Sequence, residues 1–416
     1  MRQATRTQAI TLAAAALVGT FALDANADVI TDWNTTAGRL VVESGLGTPP
    51  AVRVMAIVQT AVYNAVGDVT HGDPGAQPSV DAAVAAANRA TLAKLIPSRQ
   101  AAIESAYQTA MAAIAEGPAK LAGIGAGEQA AAAVLQASAG DGAASPVAYQ
   151  PHTTAGAYVP TALPAVPQWP QRKPWLMSSA AQFRPAPPPA LGSDAWARNY
   201  NEVKALGSKT SASRSAEQTE IARFWEFSLP PIYYGVVHSV ADAPGRDVMR
   251  NARLFAAVAQ AMDDAMIGVF DAKYHYNFWR PTTAIRNGGI DGNDATAPDT
   301  SWTPFIDVPL HPEYPSAHAI LAGAVAEVLK ADIGAGRTPT LTTTSPSAKG
   351  AARQWTNLDE FVREVGNARV YEGVHYRVST EVGAAMGRQI GSLAARNLMQ
   401  PTASSADGRI AAALDD

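Results

Sequence analysis

Three short stretches in the last third of the chain gather the residue types that can hold a tetrahedral oxyanion. The first carries Lys273 and Arg280, seven residues apart and followed by Pro281. The second carries Ser316, Ala317 and His318 ahead of an apolar run, and the third carries Arg369 and His375. A guanidinium offers an oxyanion a planar fork, and an ammonium adds a mobile point charge. Two cations seven apart lie on one side of a helix, so both could reach one anion, with Arg280 at the bend that Pro281 imposes. The flanking Tyr274, Tyr276, Phe278 and Trp279 argue for partial burial.

The second stretch reads as the start of a helix. Ser316 suits an N-cap, and the residues after it are apolar. The first-turn amides of Ser316, Ala317 and His318 would then lack partners within the helix and attract an anion through their N–H groups and the helix dipole. His318 in that turn could exchange protons with a bound oxyanion. In the third stretch Gly373 permits a close turn between guanidinium and imidazole. Taken singly, each stretch has a plainer alternative: solvated cations, an ordinary N-cap, a core histidine. Together they describe a cationic cage with two imidazoles.

The elements that must position these groups read as helices. The chain has 416 residues, 47% hydrophobic and 16% charged, which suits a large helical core. Its net charge is -4, without a block of like charge, so no broad nucleic-acid surface is suggested. Cysteine is absent, which excludes disulfides, thiolate metal sites and a cysteine nucleophile. Helical spacing predicts helices over 52–66, 79–96, 98–116 and 128–137, then 193–206, 216–227, 246–270, 316–331, 354–368 and 380–398. Strand-like alternation is scarce. Eleven prolines between 146 and 189 forbid a helix there, yet Trp169 and Trp175 favour an ordered extended arm over a linker. The expectation is an all-α fold, a large helical bundle with a Pro-rich arm. Its parts would be a helical part at 28–145, the arm at 146–192, a catalytic bundle at 193–400 and a flexible tail at 401–416, with 28–400 one domain.

The N-terminus reads as an export signal at 1–27. Arg2 and Arg6 precede an apolar stretch over 9–23, and Ala25 and Ala27 offer small residues for cleavage near Ala27. That stretch is short for a permanent span, and no later one qualifies. The expected location is the periplasm or the exterior, with no stable membrane span.

The ordered pattern Lys-x6-Arg-Pro, Pro-Ser-x-His and Arg-x5-His resembles the superfamily of type 2 phosphatidic-acid phosphatases and vanadium-dependent haloperoxidases. The wording over 271–286, 183–193 and 50–66 is similar to the bacterial haloperoxidase-like branch. The resemblance implies the helical bundle of that superfamily and a bound vanadate, or phosphate as substrate or ligand. It also implies roles. Lys273, Arg280 and Arg369 would neutralise the equatorial oxygens, with Ser316 and the Ala317 amide donating further. His375 would approach apically, as metal ligand or phosphoryl acceptor, and His318 would act as acid–base. His311 matches a position where bromide-using relatives carry a second histidine. The favoured activity is oxidation of halide, bromide foremost, by hydrogen peroxide. The alternatives are an exported acid phosphatase with a phosphohistidine and a non-catalytic phosphate or vanadate binder. Partners would be small molecules (peroxide, halide or a phosphate ester), and a homodimer is compatible with the family.

Two positions depart from the family pattern. Ala317 stands where Gly is usual and adds a methyl to the pocket wall. Ser379 stands where the phosphatases generally place an Asp that orients the nucleophilic histidine, which leaves Asp271, Glu313 and Glu372 as candidate orienters of His375.

Overall fold

Why the chain folds as it does is clearest in its longest helix, α9 (Val248–Tyr276), which Asp247 caps by accepting from the Arg250 N–H. Its residues are buried on nearly every side from Asn251 to Lys273, as expected of a helix with apolar residues all round at the centre of a bundle. A computed structural model describes residues 28–71 and 77–399, so the export segment at 1–27 and the tail expected at 401–416 lie outside the described residues. Those described form thirteen α-helices and little sheet.

Five helices precede the arm: α1 (Val29–Glu43), α2 (Thr48–His71), α3 (Val80–Leu95), α4 (Gln100–Ala112) and α5 (Pro118–Ala137). After it come α6 (Asp194–Leu206), α7 (Ala216–Trp225), α8 (Pro231–Ala241), α9, the short α10 (Pro281–Arg286), α11 (Ala317–Ile333), α12 (Leu358–Tyr371) and α13 (Arg377–Ala394). One connected hydrophobic core runs from Ile30 in α1 to Ala394 in α13, joining the helices before the arm to those after it.

The tightest packing is between α11 and α13. Gly383, Gly387 and Gly391 recur every four residues, so they share one face of α13. A Cβ at Gly387 would sit 2.1 Å from the Ile320 carbonyl oxygen, and one at Gly383 would sit 2.6 Å from that of Ser316. Only the absent side chains let the two backbones approach so closely. The Ser316 N–H donates to the Ser379 carbonyl at 2.9 Å at the end of this contact, which fixes the start of α11 against the start of α13.

The Pro-rich segment is the ordered extended arm the sequence predicts. Ala157 pairs as a β-bridge with Phe278, the Tyr158 N–H donates to the Asn277 carbonyl at 2.7 Å, and the Trp279 N–H donates to that of Gly156 at 2.9 Å. Deeper in, Arg172 is 3% exposed and grips Asp263 of α9 with two bonds of 2.6 and 2.9 Å, while Asp264 accepts the backbone N–H groups of Trp175, Leu176 and Met177.

Some expectations need correction. The helices α1 and α8 were not foreseen. The helix expected over 354–368 begins at Leu358, because Gln354 and Trp355 belong to a hairpin of β1 (Leu341–Ser345) and β2 (Ala351–Trp355). The hairpin lies on α8, where a Cβ at Gly235 would collide with Thr343. Lys273 and Arg280 do not share a helix face. α9 stops at Tyr276, Asn277 turns into the left-handed region at φ 47°, and Arg280 is the N-cap of α10.

Candidate functional site

Although no helix joins them, Lys273 and Arg280 meet the other two stretches in one buried cluster. Lys273 is 0% exposed, and its Nζ donates to the carbonyls of Pro312 and Glu313 at 3.0 and 2.8 Å. Arg280 donates Nε to the His311 carbonyl at 3.0 Å and one terminal nitrogen to the Val374 carbonyl at 2.7 Å. Its guanidinium also lies 3.3 Å from Nε2 of His375 and 2.9 Å from Nδ1 of His311. Arg369 donates to the carbonyl of Trp225, the last residue of α7, at 3.2 Å. Neutral carbonyls thus hold Lys273 and Arg280 without cancelling their charge, which preorganises them for an anion, whereas Arg369 also pairs with the carboxylate of Glu372.

The imidazole of His375 is oriented by Glu313, the one of the three candidate carboxylates that reaches it. Nδ1 of His375 lies 2.8 Å from Oε1 of Glu313, which also accepts the Tyr376 N–H at 3.0 Å. Ser379 donates its hydroxyl to Oε2 at 2.7 Å. The carboxylate therefore accepts from Nδ1–H and keeps the proton on Nδ1, leaving the lone pair on Nε2, on the side of the cations. Asp271 does not serve His375, because it forms a two-bond ion pair with Arg184 of the arm at 2.7 and 2.8 Å. Glu372 does not serve it either, being paired with Arg369. Ser379 is thus one step removed from the imidazole: it holds the carboxylate that holds the histidine.

Burial dominates the electrostatics. His375, His318 and His311 are all held well below the usual imidazole range, first by burial and then by Arg280, Lys273 and Arg369. All three are neutral near pH 7. Lys273 is pushed well down by burial and the neighbouring Arg280, and Arg280 falls to about 10 for the same first reason. Burial pushes Glu313 up to about 7, against the pull of Ser379 and of Arg280 and Lys273.

Ser316 caps α11 by accepting the Ala319 N–H at 3.4 Å, as its type predicts, and keeps its own hydroxyl proton available. His318 in the first turn leaves Nε2 without a partner, and Nε of Arg369 is also unpartnered. A cavity of about 360 Å³ opens over the cluster. His311, Ala317, His318, Arg369 and His375 line it together with apolar Met266, Phe270 and Leu321. Ala317 is thus among the residues of the cavity wall. His275, in the same stretch as Lys273, lies instead on a separate surface depression beside Tyr149 and His152.

The cluster is backed by an aromatic layer of which only Phe278 and Trp279 are legible from their place in the first stretch. Trp196 of α6 stacks on Trp279 at 5.9 Å and meets Tyr376 edge-on at 5.0 Å, and Tyr314 belongs to the same buried group. These rings flank Arg280, Ser316 and His375 in sequence and brace all three stretches at once. The spacing of Trp196 and Tyr200, four apart on one helix, was the available signal.

The sequence, in part, and the fold have counterparts among known proteins. Residues 253–403 match the family model of the VCPO second helical-bundle domain. A vanadium chloroperoxidase of Curvularia inaequalis is 33% identical over 144 residues, which is 29% of this chain and 23% of that protein. The chain thus matches under a quarter of that relative's length. Its fold is similar to a bacterial vanadium-dependent iodoperoxidase, with TM-score 0.75 and 24% identity over 89% of this chain and 96% of that one. It is also similar to a holo-type bacterial vanadium-dependent chloroperoxidase, with TM-score 0.70 and 18% identity over 85% and 93%. Residues 253–403 thus match the second helical-bundle domain of that family model, and the overall fold is the one seen in the bacterial vanadium-dependent haloperoxidases.

Proposed function

We propose that the chain binds vanadate in this cage and oxidises halide, bromide foremost, with hydrogen peroxide. The observation that carries the reading is His375, whose Nδ1 is tied to Glu313 while Nε2 faces the cations. The residues fit a tetrahedral oxyanion bound through one imidazole. Two buried polar atoms without partners, Nε of Arg369 and Nε2 of His318, belong to the same cage and are donors or proton carriers an oxyanion would satisfy. Among the described residues no group of three or more His, Asp or Glu has the arrangement to hold a metal ion directly, so one imidazole and a cage of donors is the ligand set available.

Bound vanadium would supply Lewis acidity that activates peroxide toward a halide. The chain's own residues do the rest. Lys273, Arg280 and Arg369 bind the oxyanion's negative oxygens, and the Ser316 hydroxyl with the Ala317 N–H adds neutral donors. His318, neutral among three cations, takes up a proton from peroxide and returns it to product. His311, in contact with Arg280 and on the cavity wall, is placed to influence which halide approaches. The names of the relatives, an iodoperoxidase and chloroperoxidases, support halide oxidation as the reaction class.

The site would work outside the cytoplasm. Cleavage near Ala27 would leave the Asp28 N-cap of α1 intact, which supports export by a cleaved signal. No helix among the described residues is long and apolar enough to cross a membrane.

A paired assay tests the reading. One arm loads the protein with orthovanadate and follows bromination of an indicator with peroxide and bromide. The other follows release from a chromogenic phosphate ester without vanadium. Bromination that needs vanadate and falls by about 10²–10³ in Arg369→Ala is the expected result, the size typical of losing one charged donor. His318→Ala should retain vanadate and lose turnover, by about 10²–10⁴. Ester hydrolysis inhibited by vanadate, without bromination, would instead make the chain a phosphatase. Anion binding with neither reaction would make it a binder.

A further inference from the structure

Arg369 has a second partner that the oxyanion role does not explain. Glu372, at the C-cap of α12 and three residues on, is 0% exposed, and its carboxylate forms an ion pair with the Arg369 guanidinium. Neither carboxylate oxygen has a hydrogen-bond partner of normal geometry. The groups around it offer little else. Arg369 comes from its own helix, exposed Glu226 follows α7, and Tyr233 of α8 is fully buried with an unpartnered hydroxyl. Arg214 turns one terminal nitrogen to the carbonyls of Leu206, Ser208 and Tyr371 and its Nε to the Thr219 hydroxyl. The N–H groups of Phe305 and Ile306 go to the Glu372 carbonyl, not its carboxylate.

The charge balance of the cage makes this pairing consequential. Lys273, Arg280 and Arg369 face two buried carboxylates, Glu313 and Glu372. With both carboxylates ionised the cage keeps one net positive charge. A dianion entering it would leave net negative charge in a water-poor site, which is unfavourable. Glu313 is held by three donors and remains in place. Glu372 has only the cation that the oxyanion itself needs.

We infer that Glu372 is a built-in counter-anion of Arg369 that an arriving oxyanion displaces, so that oxyanion binding is coupled to uptake of one proton from solvent by the Glu372 carboxylate. The neutral acid then stays buried at far lower cost than the unpaired carboxylate would, and the Arg369 donors it releases turn to the oxyanion. Burial already raises this carboxyl to about 8 in the anion-free cage, opposed by Arg369 and reinforced by Glu226. Below that pH the group is protonated beforehand and binding needs no proton. Above it each pH unit weakens binding about tenfold through this group. The inference rests on the oxyanion site proposed above and not on which reaction follows.

Calorimetric titration of the full chain with inorganic phosphate tests it, at pH 6.5 and pH 9 and in buffers of different ionisation enthalpy. At pH 9 the wild type should take up close to one proton more per phosphate than Glu372→Gln. The variant should then bind about tenfold tighter than wild type, and within about twofold of it at pH 6.5. Glu372→Leu, apolar and of similar volume, should behave like Glu372→Gln and serves if that variant fails to fold. Equal proton counts and equal pH profiles in wild type and either folded variant overturn the inference. A wild type that binds neither phosphate nor orthovanadate overturns it together with the oxyanion site. Glu372-dependent proton uptake without bromination upholds it and removes the peroxidase reading alone.

Discussion

At the scale of single residues, Glu313 does the most for the site while touching no cation with its side chain. Its two oxygens divide the work, one accepting from His375 and the Tyr376 N–H and the other from Ser379. Replacing it by Gln keeps the shape but turns one oxygen into an NH₂ donor, which cannot accept from Ser379 or from the imidazole. Glu313→Gln should weaken phosphate and orthovanadate binding by about 10–100-fold, the usual effect of losing a carboxylate behind a ligating histidine. Calorimetry on the purified variant checks this, and unchanged affinity would mean that His375 is oriented by other contacts. The departure at Ser379 also gains a meaning here. With a carboxylate already behind His375, a hydroxyl is the complementary group, and an Asp would face Glu313 as a like charge.

At the scale of elements, the site depends on how closely α11 and α13 approach. The glycine stripe of α13 lets Ser316 bond Ser379 directly, so the helix that carries His318 and the segment that carries His375 are held in register. Gly387→Ala would drive a methyl into the Ile320 backbone, which cannot move aside as a flexible side chain would. The expected loss is about 3 kcal/mol of stability, at the upper end for an overpacked site. A lowered urea midpoint with weaker phosphate binding would follow, whereas full stability would mean that the helices slide apart at little cost. The motif around each catalytic group was legible in sequence, since an N-cap serine and a proline bend act over a few residues. The helix α8 was not. Its Ile232, Tyr233, Val236 and Val237 favour strands by local propensity, and packing in the core overrides that preference. The hairpin was missed for the opposite reason: β1 is Thr-rich and shows no apolar alternation.

At the scale of the whole molecule, the Pro-rich arm fastens the core to the site. Arg172 and Asp264 lock it onto the middle of α9, and Tyr276 and Tyr314 donate their hydroxyls to the carbonyls of Pro185 and Ala186 further along. Arg172→Ala would leave Asp263, 0% exposed, without its guanidinium partner. Breaking a buried pair in this way costs about 3–5 kcal/mol, and chemical denaturation should show a loss of that size. Protection of the 146–192 amides from hydrogen exchange should fall with it. Retained stability and protection would show that the arm is held by its aromatic contacts instead.

The chain's sequence by itself determined which groups are available: three cations, three histidines, a helix-capping serine and an arm too rich in proline to be helical. These follow from residue type and from spacing within a few residues, where backbone geometry is nearly fixed. Only the tertiary structure decided which carboxylate meets which cation or imidazole. Asp271, Glu313 and Glu372 were equal candidates by position, and they went to Arg184, His375 and Arg369. Glu313 lies 62 residues before the histidine it orients. Contacts over that span depend on how closely α11 and α13 pack, and electrostatic pairing falls off too steeply with distance for sequence position to stand in for it.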